Sequence, residues 1–305
     1  MHTFPVKRMN RANLPRVLSR ALCSTLLLGL LSACTPVVTV VSDPVFAALY
    51  LSNPESGSSP ASAFDQAGYT AEYVALENTS PSDAEIGQAL SAVPAERPVA
   101  VSPLLAREVA EVAADREGRD FLLLGGVPRG VAPAKLSANV SYAVHERSSA
   151  FERLGSNMAA LLATEPETST FVVYARTDSE ERAAEIAAFR SGLGPAIEQT
   201  RFIVFEDAVS EARLREELFR VGSPDVPYVG VFLGKLNRLV YEEVGQDGPG
   251  IVTEDLGPGG EWNGLAVYSV ERTYAAALDR FLEGERGRIT VNARVVDRRE
   301  RGPAN

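Results

Sequence analysis

Residues 171–205, FVVYARTDSEERAAEIAAFRSGLGPAIEQTRFIVF, hold one complete cycle of the pattern that decides the fold. Phe171-Val172-Val173-Tyr174 is an apolar run of strand length. Residues 179–193 follow with apolar spacings of three and four behind Ser179, a good helix cap, and Phe202-Ile203-Val204-Phe205 is a second strand. Working outward, strand-like runs fall at 45–51, 73–76, 98–101, 121–124, 138–144, 228–233, 251–253 and 289–296. Helical spacing fills 83–93, 104–115, 149–163, 210–221, 236–244 and 270–282, with Ser82 or Asp83 and Ser210 as further caps. Strict alternation of this kind predicts an α/β chain with parallel sheets flanked by helices. About 260 residues is long for one such sheet, so two lobes are expected.

Two irregular stretches punctuate the alternation. Residues 125–133 precede a strand and then a crossover placed at 145–148, and residues 257–264 precede the final helix. The resulting division is a signal peptide at 1–33 and a lipid-anchored spacer at 34–43. An N-terminal lobe takes 44–145 plus 256–288, a C-terminal lobe takes 146–255 plus 289–297, and a frayed tail takes 298–305. Chain passing between lobes more than once leaves a hinge little freedom except opening and closing.

Composition narrows the function. The 305 residues carry 30 Lys and Arg against 40 Asp and Glu, a net charge of −10, and 45% are apolar, which fits a folded globular chain. Lys7, Arg8, Arg11, Arg16 and Arg20 sit in an N-terminal stretch without acids, so the chain from Cys34 onward carries −15. Nucleic acid is a poor partner for such a surface. Beyond residue 33 there is one histidine, His145, and one cysteine, Cys34, so no disulfide, no Cys-rich metal site and no His-based catalytic set is expected. Residues 180–182 and 213–217 read as exposed, charge-alternating helix faces.

The basic stretch from Lys7 to Arg20, the apolar run from Ala21 to Leu31 and then Leu31-Ser32-Ala33-Cys34 follow the order of a secretory signal. The apolar run is too short to span a bilayer. The tetrapeptide resembles the bacterial lipobox, which makes Cys34 the acylated anchor, the alternative being an ordinary signal with a cysteine near its cleavage site. The rest of the chain is then expected outside the cytoplasm, tethered to a membrane and acting as a monomer.

The order of elements looks like the type I periplasmic-binding-protein fold. Within it, Asn139-Val140-Ser141-Tyr142 with residues 146 and 151–160, then 229–244 with 251–255, then Tyr268-Ser269-Val270-Glu271-Arg272 running on to Phe281-Leu282-Glu283-Gly284, resemble the basic membrane lipoprotein group of substrate-binding lipoproteins. That resemblance implies a solute-binding protein of an ABC importer, with a nucleoside or sugar as ligand and no chemistry of its own. It also implies an aromatic followed by Asn after the first strand, for which the nearest match is Phe64-Asp65-Gln66, and a glycine-rich turn that is here reduced to Gly234-Lys235-Leu236-Asn237.

In open α/β sheets ligands bind beyond the carboxyl ends of strands. Those ends supply Asn53, Ser102, Asp178, Asp207, Gly234 and Asp255 as candidates to hold hydroxyl or ammonium groups, and Phe64, Asp65, Phe232 and Trp262 as candidates beside them. Asp178 and Asp255 also suit helix capping or a solvated loop, and Trp262 suits a plug between the lobes. His145 reads as a crossover histidine bonded to backbone. The expected function is capture of a small polar solute for an ABC permease, without cofactor or metal. The rival reading is an envelope interaction lipoprotein that keeps the fold and a degenerate cleft.

Overall fold

The computed structural model describes residues 36–51, 64, 69–165, 168–175, 179–205, 212, 215–216, 226–244, 248–257 and 264–299, and residues from Val37 onward form one compact unit. Two six-stranded sheets organise it. The first contains β1 (Val37–Ser42), β2 (Thr70–Ala75), β3 (Val99–Val101), β4 (Phe121–Leu123), β5 (Val140–Glu146) and β11 (Arg288–Asn292) in the order β11-β5-β4-β3-β1-β2, every pair parallel. The second contains β6 (Thr170–Ala175), β7 (Thr200–Phe205), β8 (Tyr228–Phe232), β9 (Gly250–Glu254), β10 (Ala266–Glu271) and β12 (Arg294–Asp297) in the order β12-β10-β9-β8-β6-β7. Only β10 and β12 pair antiparallel.

Helices cover both faces of each sheet, as parallel strands buried on two sides require. Along β1, Val38 and Val40 face a cluster with Phe46, Leu122, Tyr274, Leu278 and Phe281, while Val41 faces Ile86, Leu90, Leu105 and Val109 on the other side. In the second sheet, Val229, Val231 and Ile251 face Leu239, Val240 and Tyr241, and Val172, Val252 and Val270 face Phe151, Leu154, Met158 and Phe189. The helices are α1 (Asp83–Ser91), α2 (Ala106–Ala113), α3 (Ser148–Leu162), α4 (Glu180–Leu193), α5 (Asn237–Val244) and α6 (Tyr274–Leu282). Ser82 and Glu85 close a reciprocal capping box on α1, the nitrogen of Ser82 donating to the Glu85 carboxylate at 2.7 Å. Helices α3 and α4 approach backbone to backbone. A Cβ on Gly155 would stand 2.1 Å from the Phe189 carbonyl oxygen, and one on Gly192 would stand 1.9 Å from that of Glu152.

The chain crosses between sheets three times: after β5 at Arg147, after β10 at Arg272–Thr273, and at Ala293 between β11 and β12. These passes are bonded to one another, Ala293 N to Glu146 O at 2.9 Å and Thr273 Oγ1 to Asn292 O at 2.6 Å.

Four sequence expectations need correction. The first strand is Val37–Ser42, not 45–51. Asp43 caps a short helix with Pro44 at its first position, and Ala47–Leu51 continues it as a π-helical turn, so local capping outweighs the apolar run. The segment given to a spacer is thus a central strand. Second, residues 266–271 form β10 of the second sheet instead of belonging with the first. Val270 stands at helical spacing from Tyr274, Ala277 and Phe281, which hid a strand directly in front of a helix. Third, the single closing strand is two: β11 joins the first sheet and β12 the second. The strands on either side of residues 257–264, β9 and β10, accordingly belong to one sheet. Fourth, Arg298 does not belong to a frayed end. It is buried and pairs with Glu271 at 2.6 Å. The expected helix at 210–221 lies almost wholly outside the described residues.

Candidate functional site

Strand β9 delivers two consecutive carboxylates to the zone between the sheets. Glu254, 3% exposed, accepts from Arg147 at 2.5 Å and from both terminal nitrogens of Arg182, one of them at 2.9 Å. Glu185 on α4 completes the group, 2.8 Å from Arg182 and 3.4 Å from Arg147. Burial pushes the Glu254 carboxyl up, but Arg182 and Arg147 outweigh it and hold the group well below the usual carboxylate range. The guanidiniums also lie over the Phe151 ring at 5.2 and 5.8 Å. Arg147 is the residue at which the chain leaves the first sheet, so this network fastens the first crossing to the second sheet's strand end.

Asp255 is arranged differently. Its backbone takes the left-handed conformation, φ 50°, the only non-glycine residue to do so among those described, and its nitrogen donates to Val270 O at 2.9 Å. Oδ2 lies 3.4 Å from Arg147 and 3.4 Å from Arg272, the residues of two separate crossings. Oδ1 is buried and has no hydrogen-bond partner among the described residues. Strain in a non-glycine residue at a strand end, with an unsatisfied acceptor, is a functional signature when the surrounding structure enforces it.

Aromatic groups line the same zone from the first sheet's side. The rings of Tyr50 and Tyr274 meet edge to face at 4.9 Å, and His145 meets Tyr274 at 5.0 Å. Burial raises both phenols, so they stay protonated, and Arg272 donates to the Tyr274 hydroxyl. His145 Nε2 faces Leu124 O at 3.3 Å. Burial first, and the Arg272 charge second, lower the imidazole to about 4, which keeps it neutral near neutral pH. Glu271 accepts from the nitrogens of Leu256 and Gly257 at 3.2 and 3.1 Å and fixes the turn that follows Asp255. At Gly257, φ 68°, a Cβ would come within 2.6 Å of Leu49 O, so glycine permits the two halves to touch there.

The ten residues expected at the site fare unequally. Asn53, Asp65, Asp178, Asp207 and Trp262 lie outside the described residues, as does Cys34. The reason for choosing Asn53 has gone, since the strand it was meant to end is helical and β1 ends at Ser42. Ser102 is fully buried and its hydroxyl is spent on Asp43, donating to Oδ2 at 2.7 Å and accepting from the backbone nitrogen at 3.1 Å. It ties the ends of β1 and β3 together and offers nothing to a solute. Phe64 is buried in the first core, 6.4 Å from the Phe46 ring. Phe232 is wedged between Phe151 and Phe189 at 5.3 and 5.0 Å and presents no free face. Gly234 takes φ 59° in an exposed turn that Asn237 holds by accepting from Leu233 N at 2.7 Å. Asp255 alone of the described candidates stands in the zone between the sheets with an unused polar atom. Arg182 was expected on an exposed face and is instead half-buried against Glu254, because α4 packs its first turn toward the ends of β8 and β9. Arg147, Glu185 and Arg272 carried no sequence signal beyond their nearness to a crossing or a cap. Among the described residues, no group of three or more His, Cys, Asp and Glu could hold a metal ion.

Solved structures share this architecture. A solute-binding protein of an ABC transporter system from Aeropyrum pernix K1 superposes with TM-score 0.53 at 12% identity, over 86% of this chain and 77% of the other. The sugar-binding protein of a sugar ABC transporter from Bacillus halodurans gives 0.52 at 13% identity, over 86% and 97%. The fold is the two-lobed type I periplasmic-binding-protein fold. A transcriptional activator of the comK gene from Bacillus halodurans shares it as well, with TM-score 0.56 at 14% identity over 87% and 94%. No protein-family model matches the chain, and no curated protein matches it in sequence. Likeness at this identity establishes a periplasmic-binding-protein fold and leaves the activity to the site.

Proposed function

We propose that this is a solute-binding lipoprotein, anchored outside the cytoplasm through Cys34, that captures a small hydroxyl-rich solute of the sugar or nucleoside class and passes it to an ABC permease. It acts by binding alone. The observation that carries the reading is Asp255: a carboxylate in a strained turn at a strand end, held by arginines from two crossings, with one buried oxygen that no group among the described residues satisfies. A sugar hydroxyl supplies the missing donor, and a charge-assisted bond to it is worth roughly 1.5–3 kcal/mol. Because Arg147 and Arg272 mark the crossings, a ligand on Asp255 sits where closure is felt, and differential contacts in the closed form shift the population toward it. The same fold in proteins described as solute-binding and sugar-binding supports this assignment. No helix among the described residues is long and apolar enough to cross a membrane.

Thermal melts of the folded protein against D-ribose, D-galactose, inosine and a set of amino acids test it. A saturating ligand at a hundredfold its Kd adds about 2.7 kcal/mol of stability, a clear rise in melting temperature. Asp255→Asn abolishes that rise. A flat response to the whole panel overturns solute capture.

A second reading has its own support. Ser102, Phe64 and Phe232 are consumed by the interior, and one protein of the same fold is a transcriptional activator. An envelope interaction lipoprotein with a disused cleft fits those facts, and it is the reading that a flat panel favours.

A further inference from the structure

His145 is the orphan on the opposite side of the same zone. It sits near the end of β5, opposite Val291 of β11, in the first sheet, whereas Asp255 ends a strand of the second. The partner of Nε2 is a carbonyl oxygen, that of Leu124, so the proton of the neutral ring belongs on Nε2 and Nδ1 carries a lone pair. Nδ1 is buried and no group among the described residues donates to it. The ring cannot turn away cheaply, because Tyr274 packs edge-on against it at 5.0 Å. The charged groups whose fields reach it are Arg272, Asp255 and Arg147. Both guanidiniums are already engaged by Asp255. Two buried acceptors, Asp255 Oδ1 and His145 Nδ1, thus border one neighbourhood from two sheets, with cations behind them.

We propose that His145 is a ligand-contacting residue whose Nδ1 accepts a hydrogen bond from the same solute that Asp255 holds, so that one hydroxyl-rich neutral molecule is gripped from both sheets. The chemistry selects this class. Two acceptors reject an anion, Arg147 and Arg272 disfavour a cation, and hydroxyl groups on one neutral frame satisfy both atoms. A ligand that bonds both strand ends also binds the closed form better than the open one, which His145 alone or Asp255 alone would not achieve. The inference rests on the solute-capture reading and goes further by naming a residue from the first sheet and the polarity of what it accepts.

Nitrogen-15 histidine spectroscopy of the full chain reads the atom directly, since the chain has two histidines and a His2→Gln variant leaves only His145. D-ribose, D-galactose and inosine are the probes and glycine betaine is the hydroxyl-free control. The expected result is a shift of the Nδ1 resonance with a stabilising polyol and none with betaine. His145→Phe, which keeps an aromatic ring against Tyr274, is expected to weaken that polyol about tenfold, the worth of one good hydrogen bond. If a polyol raises the melting temperature while Nδ1 stays unmoved and His145→Phe binds within about twofold, the proposal falls, an ordered water fills the place, and solute capture stands. If no probe stabilises the protein or moves the resonance, both readings fall. Should His145→Phe fail to fold, the resonance of the unsubstituted ring still decides.

Discussion

Arg147, where the chain leaves the first sheet, donates at 2.5 Å to Glu254 at the end of an inner strand of the second. Both side chains are buried, and Glu254 is shared with Arg182. Pairs of this kind add little net stability over an apolar core, but removing one partner leaves uncompensated charge. Glu254→Leu is therefore expected to cost about 3–5 kcal/mol in urea unfolding. A loss below about 1 kcal/mol would show that Glu185 and Asp255 suffice to neutralise both arginines.

How much of this was written in the sequence differs by element. Strands β3, β4, β6, β7, β8 and β9 are short apolar runs between helical stretches, and their alternation gave parallel sheets flanked by helices, while the length of the chain pointed to two of them. The start of the chain was misread, because Val45 to Leu51 is as apolar as a strand and only the Asp43-Pro44 cap marks it as helical. The position of Asp255 at the end of a strand was legible because a strand end is a local property. Arg182 and Glu185 were not, since one helix's first turn meets another strand's end only through tertiary packing, and charge alternation on α4 looks the same whether that face is wet or buried.

Protonation of His145 gives the protein a specific acid sensitivity. The folded ring has its pKa lowered to about 4 from an ordinary 6.5, so between those values the unfolded chain binds more protons. Stability from this group is complete above pH 6.5 and falls as pH drops toward 4, by at most about 3 kcal/mol. In paired urea titrations at pH 7, 5.5 and 4.5, His145→Gln should lose less stability than the parent protein. Equal slopes would mean the ring is not buried in its neutral form.

Glycines on different helices should respond with opposite sign. Alanine is the better helix former by about 1 kcal/mol, so Gly87→Ala on α1, where a Cβ meets nothing within 4 Å, should stabilise. Gly155→Ala and Gly192→Ala force apart α3 and α4 at a backbone contact and should each cost about 1–3 kcal/mol despite the same gain in propensity. Thermal unfolding of the three variants decides. A stabilised Gly155→Ala protein would mean these helices do not touch at that point.

Arg298 reaches back to Glu271 at 2.6 Å and to Ser269 Oγ at 2.9 Å. Glu271 in turn accepts from the nitrogens of Leu256 and Gly257, the two residues after Asp255. The chain's closing segment is thereby linked through one carboxylate to the turn that aims the proposed ligand group. Arg298→Met leaves Glu271 buried without its counter-charge and should cost about 3–5 kcal/mol, and adding Glu271→Gln should recover part of that because the stranded charge is gone. The double variant keeps an amide oxygen for one of the two nitrogens, so the turn loosens although the protein folds. Its affinity for a stabilising sugar should then fall while its stability rises above that of Arg298→Met. Parallel recovery of both quantities would mean that Glu271 supports the fold without positioning Asp255.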